Sequence, residues 1–466
     1  MAPFGLTRLE VQTQPILTLC LVSLTVADML DQPYARSLVH CDVPVNTTEG
    51  AEFSGSRYCG HRLHVIGVGA EVAGWGQSFA NAGRLCITLF LSGLADYGRR
   101  RPVLLGQFMV TLATVLFAFA QFLPTSLAFP SYVVAKGLQG MSGIGIIQEI
   151  VTGDVALRLN DTVAVYGRRQ VLINCLFVVL TPLNLYMQWV EIADFTYAWA
   201  AMVVVNLAAL ALSWRFFPET LQRKKDVQQF SVMAMVKEEV QNFRALVRTH
   251  DYISIRIVEE LFSKMAAPDA IVLPFLMANF QFSQFDALVV TALPGILGGI
   301  SLSWLVPTMC AKLGHKKVMR FCLLYYRLSG CILSFLLPFR FLGIPVPLIG
   351  MAMHLPLSGL PAVAQGIEIR VIRQENNAKF QAMCQMVGFL CGSITSGLYA
   401  HLFDAEATSY GQKVLPFAVS AVIGLWNIPL FLFYSGPKVL AECEKVDKEA
   451  AELRAASAKV PKTKPE

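Results

Sequence analysis

Residues 102–122 read PVLLGQFMVTLATVLFAFAQF, twenty-one positions without a charged side chain, directly after Arg99-Arg100-Arg101. A helix of that length is about 30 Å long, the thickness of a bilayer's hydrocarbon core. An apolar run flanked by arginines therefore reads as a membrane span with its basic end in the aqueous phase. A helix is the only such element that satisfies its own backbone in lipid without neighbouring strands.

The same pattern recurs. Apolar segments run over 15–40, 65–95, 102–122, 131–157, 169–190, 195–217, 252–279, 285–310, 318–338, 343–369, 380–402 and 413–434. Composition agrees: 55% of the 466 residues are hydrophobic and 15% are charged, with a mean hydropathy of +0.53. Soluble domains carry about 25% charged residues. The deficit leaves too little polar surface to coat a body of 51.3 kDa, which excludes a soluble enzyme, a disordered scaffold and a nucleic-acid-binding protein. The expected fold is an all-α polytopic membrane protein with twelve transmembrane helices.

Lys and Arg set the orientation. With the N-terminus inside, the inner segments hold Arg8, Arg99–Arg101, Arg158, Arg168, Arg169, the 223–248 cluster, Lys312, Lys316, Lys317, Arg320, Arg370, Arg373, Lys379 and the basic tail. The outer segments hold only Arg57, Arg62, Arg340 and Lys413. The positive-inside rule then places both termini in the cytoplasm. The apolar stretch near the N-terminus is too long for a cleavable signal peptide. Plasma membrane and endomembrane both remain open.

The longest outer loop, about 41–64, contains the sequon Asn46-Thr47-Thr48 on the side where glycosylation occurs. Cys41 and Cys59 share this oxidising loop, so a disulfide between them is expected, with two free thiols as the alternative. No Cys/His cluster suggests a metal site, and no cofactor is expected.

Residues 220–250 divide the chain. Val227, Phe230, Met233, Val236, Val240, Phe243 and Val247 recur at three- and four-residue steps, an amphipathic helix expected to lie on the inner membrane surface. The domain reading is a cytoplasmic N-terminus (1–14), a six-helix bundle (15–217), a cytoplasmic linker (218–251), a second six-helix bundle (252–434) and a charged tail (435–466), helical at first and then disordered.

The halves carry an internal echo. Leu94-Ala95-Asp96-Tyr97-Gly98-Arg99-Arg100-Arg101-Pro102 follows the second span, and Lys312-Leu313-Gly314-His315-Lys316-Lys317 follows the eighth. Gly98 and Gly314 lie 216 positions apart; Asp154 and Glu368, near the ends of the fourth and tenth spans, lie 214 apart. One common shift indicates duplicated halves.

Here the chain resembles the major facilitator superfamily. The segment from Leu94 is similar to its loop 2–3 signature, L-A-D-R-x-G-R-[RK]-P, with Asp96 and Arg100-Arg101-Pro102 in register. Gly98 falls one place early, leaving Arg99 in the glycine's position, and Tyr97 replaces a basic residue. The second copy has Ala311 in place of the acid. Lys136-Gly137-Leu138-Gln139-Gly140 resembles the R-x-x-Q-G element of drug/proton antiporters, with Lys136 for Arg. Gly167-Arg168-Arg169 and Pro218-Glu219-Thr220 match two shorter family elements. Thr181-Pro182-Leu183-Asn184 stands where antiporters carry a Gly-Pro signature. Tetracycline-exporter-like and hippocampus-abundant-transcript-like branches resemble the chain equally. The resemblance implies two pseudo-symmetric six-helix bundles, a cavity lined by spans one, four, seven and ten, and a cytoplasmic gate network that would include Asp96, Arg99, Arg100, Arg101, Asp154 and Arg158.

Charges inside the spans are the functional signal: Asp28, Asp31, Arg36, Glu71, Arg84, Lys136, Glu149, Arg256, Glu259, Glu260, Lys264 and Asp269. Each costs about 2.5–3.5 kcal/mol at mid-membrane, so they should face the protein interior or an aqueous cavity. Asp28, Asp31, Glu149, Glu259, Lys264 and Asp269 are the substrate- or proton-handling candidates. Structural ion pairs compete with that role: Lys264 can pair with Glu260 one turn away, while Asp269 sits about 140° round a common helix from it. Arg84 reads as a clamp between helices.

The absence of Walker A, GxSxG and HExxH motifs argues against an ATP-driven pump and against an enzyme. The expected function is secondary active transport of a small organic solute by alternating access, proton-coupled, by a monomer in the lipid bilayer. An uncoupled facilitative carrier and a non-transporting receptor are the alternatives.

Overall fold

The apolar runs form helices in a computed structural model, which describes residues 8–43, 56, 58–95, 98–159, 169, 172–173, 195–220, 232–249, 251–283, 286, 301, 305–354, 367–368, 371–372 and 374–458. Most of the fifth and eighth spans lies outside the described residues, as do Asn46 and Asp96.

In the first half, α1 is Arg8–Ser37, α2 Arg62–Ala95, α3 Arg100–Ala120, α4 Thr125–Met141, α5 Ile144–Leu159 and α6 Thr196–Phe216. The connection is α7, Val232–Thr249. In the second half, α8 is Asp251–Met265, α9 Asp269–Phe280, α10 Val306–Leu313 and α11 His315–Leu336. A two-residue hairpin (β1 Arg340–Phe341, β2 Ile344–Pro345) leads to α12, Val346–His354. The chain ends with α13, Gln374–Leu402, α14, Tyr410–Leu425, α15, Asn427–Leu430, a π-helical turn at Phe431–Ser435, and α16, Gly436–Ala458.

Two expectations change. The fourth span is two helices, because Gly143 at φ +56 leaves the helical region and a side chain there would strike Leu91. The seventh span breaks at Ala266–Pro268, since Pro268 has no N–H to continue the ladder. Lys264 and Asp269 therefore belong to different helices. The tail is helical as far as Ala458, the last described residue, and docks on the protein. The described part of the amphipathic segment, 232–249, packs against α2, α8 and α13 and buries Leu246 with Tyr252 and Ile253.

The surface is apolar where a bilayer would touch it. Phe108, Leu112 and Phe119 of α3 are exposed, as are Val204 and Leu207 of α6. The polar groups of these two helices turn inward instead. Gln107 donates to the Asn206 side-chain oxygen at 3.0 Å, and Asn206 donates to Thr114 at 2.9 Å. The hydrogen bonds satisfy groups that lipid could not.

The two halves meet along α2 and α13. Toward the disulfide-bearing loop, one core spans both halves: Ile66 and Ala70 of α2 pack with Ile271, Leu276, Tyr399 and Phe403. At the end that carries the chain termini, the cores are separate. Leu17, Leu91, Val103 and Val155 form one, and Val306, Val318, Phe380 and Cys443 form another. The seam is thus packed shut toward the disulfide.

Candidate functional site

Lys136 sits on α4 with its side chain 1% exposed. Its Nζ lies 3.3 Å from Asp28 Oδ1 and 3.4 Å from Asp31 Oδ2, both on α1. Gln139, one turn along from Lys136, donates to Asp28 Oδ1 at 3.3 Å, and the Tyr132 hydroxyl donates to Asp31. The i, i+3/i+4 spacing of Tyr132, Lys136 and Gln139 puts all three on one face of α4, toward α1. The close approach needs small residues behind it. A Cβ at Gly140 would overlap the Ala80 carbonyl oxygen, and one at Gly76 would lie 2.7 Å from the Tyr132 ring.

This cluster joins two sets of residues that the sequence kept apart. Asp28 and Asp31 stand out as buried acids, and Lys136, Gln139 and Gly140 as a family-like element. Tyr132 carries no signal of its own until its spacing from Lys136 is used. Burial is graded: the Asp28 side chain is 45% exposed and that of Asp31 12%. The outer acid reaches water while the inner one does not.

A second cluster lies in the other half. Arg256 Nε is 2.6 Å from Glu368, with Glu259 at 3.3 Å and Glu260 at 3.5 Å. Tyr252 donates to Glu368 at 3.2 Å and Ser435 donates to Glu259. Glu259 thereby ties α8 to the π-helical turn at Phe431–Ser435. Lys264 is half exposed and pairs with Glu260 at 3.7 Å. Asp269 opens α9 across the break.

Two of the gate candidates, Arg99 and Asp154, meet inside one half. Arg99 holds Asp154 through Nε at 2.6 Å and Nη2 at 3.1 Å. Thr220 donates to Asp154 at 3.1 Å, and the Arg99 backbone N–H donates to Glu219 at 2.8 Å. The loop after α2, the α5 helix and the Pro218-Glu219-Thr220 element are thereby stapled together. Arg100 donates to the Trp214 carbonyl. Arg101 lies at the rim of an apolar groove between α3 and α6, beside Leu104, Phe108 and Trp214. Arg158 and Glu149 lie on α5, but their side chains lie outside the described set.

Cys41 and Cys59 are joined by a disulfide. Arg84 bonds Asn81 at 3.1 Å and lies 5.9 Å from the centre of the Phe389 ring, bridging α2 and α13.

No family model matches the chain, and no curated protein matches it. Solved structures do. The xylose transporter XylE from E. coli, in a partially occluded inward open conformation, superposes with a TM-score of 0.63 at 14% identity, over 92% of this chain and 98% of that one. The human organic anion transporter MFSD10 gives 0.59 at 14% identity, over 91% and 100%. The nucleoside transporter NupG gives 0.55 at 10% identity, over 89% and 99%. XylE is a major facilitator superfamily protein. The chain has the major facilitator fold.

The first cluster joins α1 to α4, and the second is built on α8. The likeness extends over sugar, organic-anion and nucleoside carriers alike and singles out no branch.

Proposed function

We propose that the chain is a secondary carrier that moves a small organic solute by alternating access, with protons coupled through the α1–α4 cluster. The observation that carries this reading is Lys136 buried between Asp28 and Asp31. One ammonium and two carboxylates leave an excess negative charge when both acids are ionised. One acid can take a proton while the other still neutralises Lys136, so no buried charge is stranded. Asp28 is the more open of the two acids, and Asp31 is the one shut in beside the lysine. Such an exchange changes which helix contacts are favourable, and so biases a two-state equilibrium.

The asymmetric seam supports the same reading. A pair of bundles packed at one end and separate at the other is one of the two states that alternating access requires. The relatives in shape carry xylose, organic anions and nucleosides, so a solute of that size is the expected cargo. The Lys/Arg asymmetry places both termini on the cytoplasmic side.

The test is flux in proteoliposomes containing the purified full chain, with and without an imposed pH gradient. A gradient should accelerate uptake of the cargo solute, and Asp28→Asn or Asp31→Asn should remove that dependence while leaving exchange. Flux that ignores the gradient would make the protein a facilitative carrier. Binding without flux would make it a receptor.

A further inference from the structure

Arg36 ends the last turn of α1 and is fully buried. Among the described residues, none of its three guanidinium nitrogens meets a hydrogen-bond acceptor. This is a costly arrangement, because a buried guanidinium needs a counter-charge and several acceptors. One turn back on the same face, Gln32 donates from Nε2 to the Ala270 carbonyl at 2.8 Å, and its Oε1 is likewise buried without a donor. The two residues thus leave donors and an acceptor unused, side by side.

The place is the closed end of the seam. Ala270 lies in the first turn of α9, in the second half, while Arg36 packs against α2. A Cβ at Gly69 would overlap Arg36 Cγ, so the glycine makes room for the arginine's stem. Arg62 bonds the Met277 carbonyl at 3.4 Å and the Phe282 carbonyl at 2.8 Å, in the second half, and lies close enough to act on Arg36 electrostatically. Two positive charges thus lie near one another, and no carboxylate forms an ion pair with Arg36 among the described residues.

We propose that Arg36 and Gln32 form a binding site for a small hydroxy acid, whose carboxylate takes the guanidinium and whose hydroxyl donates to Gln32 Oε1. The guanidinium fork matches the two carboxylate oxygens. Residues four apart on a helix stand about 5–6 Å from each other at Cβ, a span that a two- or three-carbon hydroxy acid bridges. The inference rests on the carrier reading: opening of the disulfide end admits the acid, and reclosing buries it at the seam. It names the cargo as an organic acid.

The experiment is thermal denaturation of the purified full chain in detergent, at constant ionic strength, against L-lactate, acetate, sodium chloride and D-xylose. L-lactate should raise the midpoint saturably, acetate more weakly, and chloride and xylose not at all. Arg36→Gln should abolish the lactate response, and Gln32→Leu should bring it down to that of acetate. Should Arg36→Gln fail to fold, Arg36→Lys keeps the charge and loses the fork, and should weaken the apparent lactate affinity at least tenfold. A response to chloride equal to that for lactate, no saturable response to either acid, or an unchanged response in the arginine variants would overturn the site. Gradient-driven uptake of a neutral solute with no lactate response would overturn it too, and would leave the carrier reading standing.

Discussion

Gly74 of α2 and Ala400 of α13 meet with no room for another methyl group: a Cβ at position 74 would overlap that of Ala400. The contact continues along the same face. A Cβ at Gly397 would lie 2.8 Å from the Trp75 ring, and one at Gly392 would overlap the Asn81 amide. Ser78 accepts from the Gly397 backbone at 2.9 Å. Small residues bring these two backbones together as they do in other membrane helix pairs.

Gly74→Val should force the disulfide end of the seam apart. Overpacking of this kind costs about 1–3 kcal/mol where the neighbours can shift, and here the easier shift is between the halves. A cysteine pair replacing Glu71 and His401, whose side chains meet at 3.5 Å, should be joined by a short bifunctional thiol reagent in the otherwise native chain. Adding Gly74→Val should reduce that crosslink sharply. Equal crosslinking in both backgrounds would show that the seam absorbs the valine without opening.

Lys136→Met should destabilise the protein by about 3–5 kcal/mol, because it leaves two carboxylates facing each other without their cation. Adding Asp31→Asn should recover part of that loss. The double variant should be more stable than Lys136→Met alone in thermal denaturation, and pH-gradient-driven flux should be absent from both. A Lys136→Met protein as stable as the parent would mean that the cluster contributes no net pairing.

Asp154→Asn should weaken the staple between the α2–α3 loop and the residues after α6. Arg99 and Thr220 both lose a charged acceptor, and hydrogen bonds to charged groups contribute about 1.5–3 kcal/mol each in favourable settings. The expected signature is faster hydrogen exchange at 98–102 and 217–220, with exchange across α13 unchanged. Exchange that rises equally in both halves would place the pair at the seam instead.

The tail is held by Asp447. It accepts from the His315 backbone N–H and ring, each at 2.8 Å, and from the Lys316 N–H at 3.1 Å, capping α11 from another helix. Burial works against the anion, but these donors outweigh it and hold the carboxyl below the usual aspartate range. A depressed folded value means that the contribution is present at neutral pH and lost as pH falls through that value. The tail should therefore stay docked at about pH 5 and release only in stronger acid. Asp447→Asn should cost about 1 kcal/mol, the scale of a helix cap, and should raise proteolysis within 440–458 at neutral pH.

Most of the architecture is legible from residues such as 102–122, because lipid demands long uncharged runs whatever the tertiary contacts. The breaks at Gly143 and Pro268 are less so. Each is a single residue inside an apolar run, and hydropathy cannot weigh a positive φ or a missing donor. Asp28, Asp31 and Lys136 are visible as costly charges, but their meeting depends on how α1 and α4 are rotated. Arg36 is visible in the same way, whereas its lack of a partner is a property of the packed structure alone. Asp154 and Glu368 illustrate the limit of the internal repeat. They occupy matching positions, yet one binds Arg99 and the other Arg256, because the second copy of the loop turns to Glu444 and Asp447 of the tail instead.

The backbone from Tyr410 to Glu449 is helical apart from a turn at Trp426 and includes the π turn at Phe431–Ser435. At about 1.5 Å per residue, this rod leaves the apolar region as one piece and is braced against α11 by Asp447 and by Lys316–Glu444 at 2.6 Å. A reporter domain whose own first helix is joined in phase after Glu449 would inherit the rod's direction instead of swinging on a tether. For a protein with so little mass outside the bilayer, that offers imaging a fixed external landmark from which particle orientation can be assigned.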